Sequence, residues 1–275
     1  MEQVENIAFG RNSFGRRLSS MLSVDFRRMF SMPLFYIMTG IAAVIPVLVL
    51  VMTTAVGGTT SIDPVTGVET VVEMEPFTNA WQVVESVSGE SSGLSGDNVM
   101  MSMCNINLLF FLAAVLVCIF VVDDFRSGYA KNLFAVRPRK TDYVISKTFV
   151  GFVGGAFMVL AYLAGTVLGG AIAGLSFDAG AAGISGIVMC LLSKALLMAV
   201  FVPIYVLWSV VGKQKLWLSM VGSFAVGMLF FMMIPMLTPL DSGLLNVLLC
   251  LAGGALFSGG LGAVSGKVLN ATSLV

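Results

Sequence analysis

The chain has 275 residues, of which 57% are hydrophobic and 11% charged, with zero formal net charge and no histidine. Its mean hydropathy is +0.97. A soluble domain carries about 25% charged residues on its water-facing surface, so that class is excluded and a membrane protein remains.

The missing histidine also removes the commonest general base, proton shuttle and metal ligand. Ser-His and Cys-His nucleophile pairs cannot form within the chain. The four cysteines, Cys104, Cys118, Cys190 and Cys250, lie in or beside apolar runs without zinc-site or CxxC spacing, and read as apolar filler.

Residues 1–32 read as a polar cytoplasmic leader carrying Arg11, Arg16, Arg17, Arg27 and Arg28. Within it Phe14, Leu18, Leu22, Phe26 and Phe30 recur at four-residue spacing, which predicts an amphipathic helix lying in the membrane interface as an elbow. The plainer alternative is a loose anchor beside the membrane. A cleaved signal peptide is not expected, because the first apolar run starts near Pro33 and outruns a signal core of about 7–15 residues.

Residues 33–275 read as the transmembrane domain. A spanning helix needs about 20 mostly apolar residues, and six runs approach that: Pro33–Val56, Asn105–Val122, Thr148–Ala173, a stretch within Ile184–Val211, Leu216–Leu237 and Leu244–Val264. Continuous runs of this length predict helices, since barrel strands alternate over about 10 residues. The expected fold is therefore an all-α membrane protein with six transmembrane helices and an N-terminal interfacial helix. Pro46 and Pro203 fall inside spans and are expected to kink them.

The outer loop, residues 57–103, carries seven acids and no Lys or Arg. Asp63–Gly67 has turn chemistry, Val68–Met74 suits a strand, and Phe77, Trp81 and Val84 suit one face of a short helix on the membrane. Ser86–Gly96 is rich in glycine and serine and is read as mobile. Basic residues collect instead in the leader, in loop 123–147, at Lys213 and Lys215, and at Lys267. That asymmetry predicts cytoplasmic termini.

Lys194 is the exception, lying within the fourth run toward its outer end. It either snorkels to the headgroups or makes a polar contact in a substrate path or subunit interface. Asn105 and Asn107 are further polar groups for such a path. The GxxxG pairs Gly151/Gly155, Gly165/Gly169, Gly170/Gly174 and Gly262/Gly266 allow close helix approach, within the chain or between subunits.

Enzyme motifs fail on inspection. Asp123 and Asp124 are adjacent, so on a helix they point about 100° apart and form no facing dyad. The P-loop template over Leu261–Lys267 lacks its first glycine and meets Val268 where Ser or Thr is required. No cofactor is expected on this chain, and nucleic acid is not among its expected partners.

Loop 123–147 is the informative segment. It holds Asp124, Gly128, Tyr129, Lys131, Asn132 and Leu133, then Arg137 and Arg139, then Lys147. A short helix over Tyr129–Ala135, a turn at Arg137–Arg139 and a helix entering the membrane fit its length. A short basic helix held between two spans could be gripped by a soluble motor; otherwise the loop is a basic topological anchor. This pattern, with the leader, six spans and long outer loop, resembles the permeases of ABC-2 type transporters, which commonly carry an acid, Gly-Thr-x-Lys-Asn-Leu, an arginine-centred turn and a lysine at the next span. The chain departs in having Asp124 for Glu and Tyr129 for Thr.

The resemblance implies a multi-pass protein of the bacterial inner membrane. It implies a second permease copy, as homodimer or heterodimer, and a separate P-loop ATPase subunit that binds ATP and Mg. It also implies docking of that subunit at the loop residues named above, and export of an amphiphilic peptide, drug or lipid-like substrate. The alternative is a non-transporting sensor or accessory subunit that binds ligand through its acidic outer loop.

Overall fold

The computed structural model describes residues 14–55, 59–62, 69–72, 77, 79–84, 106–136, 139–178, 183–233, 238 and 242–271. Eight α-helices fall among them: α1 Phe14–Ser31, α2 Pro33–Ala55, α3 Leu108–Arg126, α4 Tyr129–Val136, α5 Lys140–Ala173, α6 Gly183–Gly212, α7 Leu216–Met233 and α8 Leu244–Ala271. Five of them (α2, α3, α5, α6 and α8) are long and apolar enough to cross a membrane. The remaining expected run, Leu216–Leu237, forms α7, of which 18 residues are described, about 27 Å of helix.

The elbow is made by one residue. Met32 alone separates α1 from α2, because the residue before a proline is pushed out of the helical region, while Pro33 suits the first turn of α2. Tyr36 donates its hydroxyl to the Phe30 carbonyl at 2.9 Å, satisfying a helix-end acceptor at the bend.

α6 is the hub of the bundle, packing against α3, α5, α7 and α8. It is apolar around most of its circumference, as suits a helix that packs on four others. Two of its buried hydroxyls are satisfied nearby: Tyr205 donates to the Phe110 carbonyl at 2.9 Å and Ser209 to the Tyr205 carbonyl at 2.7 Å, as an apolar surrounding favours.

Glycines set the closest crossings. A Cβ at Gly165 would meet the Ala43 carbonyl oxygen and Pro46, and one at Gly169 would lie 2.8 Å from the Val47 Cα, so both face α2. A Cβ at Gly151 would lie 2.8 Å from Val202, and one at Gly155 the same distance from Met198, so both face α6. These two GxxxG pairs therefore join helices within the chain. Gly174 closes α5 with φ 68, the left-handed cap that favours glycine.

The bundle has a basic end. The Arg126 side chain at the close of α3 donates to the Gln214 carbonyl at 2.9 Å, and Lys140 at the start of α5 donates to the Leu269 carbonyl at 2.6 Å. With α1 and α4 these contacts gather every described Lys and Arg except Lys194.

At the opposite end strand β1, Thr59–Ile62, pairs antiparallel with β2, Glu69–Val72. β2 falls within the strand expected over Val68–Met74; the turn expected between the strands lies outside the described residues, as does Ser86–Gly96. The expected membrane-surface helix is instead a 3-10 turn, Ala80–Val83, capped by Asn79. It docks on the bundle: the Ala80 N–H donates to the Ser176 carbonyl at 3.0 Å and the Trp81 indole to the Phe177 carbonyl at 3.2 Å.

Candidate functional site

The most heavily charged interior lies where α1, α3, α4 and α5 meet. On α1 the buried residues are Met21, Asp25 and Met29, one ridge at four-residue spacing with a carboxylate at its centre. The last turns of α3 bring Asp124 to the same place. The first turns of α5 bring Tyr143, Ser146 and Lys147, whose three- and four-residue spacing puts them on one helix face.

Lys147 bridges the two acids. Its ammonium lies 2.9 Å from Asp25 Oδ1 and 2.7 Å from Asp124 Oδ2, and all three side chains are 0% exposed. Ser146 donates to Asp25 Oδ2 at 2.6 Å and Tyr143 to Asp124 Oδ2 at 2.9 Å. Arg28 completes the set, with Nη1 2.5 Å from Asp124 Oδ1. Two carboxylates thus meet two cations, so the buried charge is balanced, as burial demands.

Aromatic rings close the junction. The Lys147 ammonium stands 3.6 Å from the centroid of the Phe120 ring. The Arg28 guanidinium lies 4.0 Å from the centroid of the Tyr129 ring, which opens α4. Burial alone would lower the Arg28 pKa, but Asp124, Tyr129 and Asp25 together outweigh it and hold the guanidinium above its ordinary value. Burial, reinforced by the Asp25 carboxylate, raises the Tyr129 hydroxyl, which keeps it neutral. A second pair, Arg17 Nε to Asp142 Oδ2 at 3.2 Å, ties α1 to the first turn of α5.

The residues expected to dock a partner fall into two groups. Lys131 and Asn132 are exposed on α4, and Arg139 is exposed where it caps α5. Gly128, Tyr129 and Leu133 are half-buried. Asp124 and Lys147 are the correction: wholly buried, they have no surface to offer a soluble partner, and they fix the helices that present the others. Arg137 lies outside the described residues.

The elbow stripe is also adjusted. Leu18, Leu22, Phe26 and Phe30 are half-buried and Phe14, at the helix end, is 52% exposed. Leu22, Phe26 and Phe30 each follow a ridge residue by one position, about 100° around the helix, so the stripe forms a flank beside the Met21–Asp25–Met29 ridge. Phe30 makes edge contacts with Phe35 at 5.1 Å and Phe157 at 5.8 Å, which clamp the elbow to α2 and α5.

Lys194 does not snorkel. It is 1% exposed and donates to Asn107 Oδ1 at 3.2 Å and Thr238 Oγ1 at 3.0 Å. It thereby joins α6, the start of α3 and the segment between α7 and α8. Asn105 lies outside the described residues.

Sequence reasoning missed Asp25, and read Arg28 only as a topological charge. The signal was there: Asp25 is the single acid in α1, flanked at four residues on each side by Met21 and Met29. An acid on an otherwise arginine-bearing helix, in register with apolar residues, asks for a buried cation.

The long apolar helices, packed into one bundle, define a helical multi-pass membrane protein. Compared with known proteins, the chain matches no family model, no curated protein and no solved structure.

Proposed function

We propose that the chain is the permease subunit of an ATP-driven transporter of the ABC-2 type. In this reading it crosses a bacterial inner membrane six times with both termini in the cytoplasm. A separate P-loop ATPase, which binds ATP and Mg, docks on the exposed face of α4, and a second permease copy completes the pathway. The substrate class is an amphiphilic peptide, drug or lipid-like molecule moving outward.

The observation that carries the reading is the mounting of α4. Its exposed Lys131 and Asn132 stand on a helix that begins at Tyr129 against Arg28, and Arg28 is paired with Asp124 in the same junction as Lys147 and Asp25. A push on α4 would therefore be passed to the elbow α1 and to the start of α5 rather than absorbed by a slack loop. Motion of α1 and α5 would in turn alter the α2–α5 crossing.

The test is co-purification of the chain with its ATPase, read with substrate-stimulated ATP hydrolysis. Lys131→Glu combined with Asn132→Ala should abolish association while leaving the thermal stability of the isolated chain unchanged. Full association and transport in that variant would remove α4 as the docking element.

A second reading, a ligand-sensing subunit, draws on the ordered outer segment, where the β1–β2 hairpin and the docked Ala80–Val83 turn sit. Ligand binding to the outer segment in a chain that recruits no ATPase would favour it.

A further inference from the structure

The turn between α6 and α7 puts a lysine where a helix cap usually has glycine. After Gly212, Lys213 takes φ 49, a left-handed conformation that glycine or asparagine favours. The turn is closed by the Lys213 N–H on the Ser209 carbonyl and the Lys215 N–H on the Gly212 carbonyl, both at 2.9 Å. A lysine in this place gives up backbone comfort, and strain of that kind points to a side chain held for use.

Lys213 and Lys215 line a crevice of about 650 Å³, together with Arg126 from the end of α3 and Lys131 from α4. No described acidic side chain lines it. Among the described ion pairs none involves any of these four cations. Arg126 spends one N–H on the Gln214 carbonyl, which fixes its guanidinium at the crevice without neutralising it. Asp123, three residues before Arg126, lies outside the lining. Four cations converging from three elements, unneutralised, make a strong anion-attracting field.

The crevice continues into apolar surface. Leu218 and Val211 line it; Trp217, one residue before Leu218 and outside the lining, is 64% exposed on the neighbouring surface. Exposed tryptophan at the end of an apolar membrane helix marks the depth of the headgroups. Basic charge at headgroup depth with apolar side chains beyond it matches one kind of ligand in both its parts.

We propose that this crevice binds the phosphate-bearing headgroup of an anionic phospholipid, whose acyl chains lie against Val211, Trp217 and Leu218. A free phosphate would satisfy the cations and leave the apolar continuation without purpose. An acidic protein segment would not need tryptophan at that depth. The inference rests on membrane embedding and does not depend on the transport reading. Because Lys131 belongs to α4, the bound lipid would tie α4 to the α6–α7 turn.

The test uses the full chain in detergent, with native mass spectrometry to count retained lipids and thermal unfolding to read their effect. Phosphatidylglycerol should be retained over phosphatidylcholine and should raise the Tm, whereas glycerol phosphate at equal concentration should not. Lys215→Gln should cut the preference about fivefold, the worth of one cation near a charged surface. Lys213→Gly should cut it similarly while making the turn more stable, which separates lost binding from lost folding. Equal retention of both lipids, an equal Tm rise with glycerol phosphate, or a preference unchanged in both variants would overturn the proposal. So would variants that weaken ATPase association and leave lipid preference intact, the outcome expected of an acidic protein partner.

Discussion

Lys147 holds its ammonium within 2.9 Å of Asp25 and 2.7 Å of Asp124 with no exposure to solvent. Buried charge is tolerated only while balanced, and removing one partner of such a set destabilises by about 3–5 kcal/mol. Lys147→Met leaves two facing carboxylates with Arg28 alone and should lower stability by that order. Asp25→Asn removes one of them. The double variant Asp25→Asn/Lys147→Met leaves Asp124 with Arg28, a balanced pair, and should recover much of the loss. Thermal unfolding of the four proteins in a double-mutant cycle checks this; independent, additive losses would mean that the two residues do not share an interaction. At this scale the sequence was only partly legible. Lys147 and Asp124 stood out through the loop pattern, but their roles did not, because burial belongs to the neighbours a side chain acquires and not to its position in the chain.

Among elements, the α2–α5 crossing depends on missing side chains. The Gly165 position abuts the backbone carbonyl of Ala43, which cannot swing aside as a flexible side chain would. Gly165→Ala should separate the helices and lower the Tm sharply, at the upper end of the about 1–3 kcal/mol typical of overpacking. Gly262→Ala is the control, since nothing lies within 4 Å of its Cβ. There alanine should be neutral, or favourable by up to about 1 kcal/mol through helix propensity. The same Tm for both variants would show that the close approach does not limit packing. The GxxxG spacing was visible in the sequence, but which pairs face a partner helix within the chain was not. For α5 the sequence placed a helix entering the membrane after the Arg137–Arg139 turn, with its apolar span from Thr148, and the helix starts at Lys140; what it did not show was that Tyr143, Ser146 and Lys147 would satisfy their polar groups in the junction.

For the molecule as a whole, charge separates its two ends. Arg126, Lys131, Lys140 and Lys213 gather at one end, while Asp178 is exposed beside the docked Ala80–Val83 turn at the other. In the proposed orientation an impermeant thiol reagent should label Lys131→Cys only in inverted vesicles and Asp178→Cys only in right-side-out ones. The native Cys118, Cys190 and Cys250 are buried and should contribute little background; Cys104, outside the described residues, is replaced by serine in the test proteins. Labelling of both positions from one side would contradict the orientation.

The sequence by itself determined that this is a helical membrane protein, the order and approximate place of its apolar helices, and that its positive charge is confined to particular segments. Those properties follow from composition and hydropathy, which act along the chain. Only the tertiary structure decided that Lys194 turns inward to Asn107 and Thr238, that Gly165 and Gly169 serve α2, and that Asp25, Arg28, Asp124 and Lys147 meet. These depend on side chains up to 122 residues apart in sequence sharing a water-excluded site, and charge pairing across such distances leaves no periodic trace in the sequence.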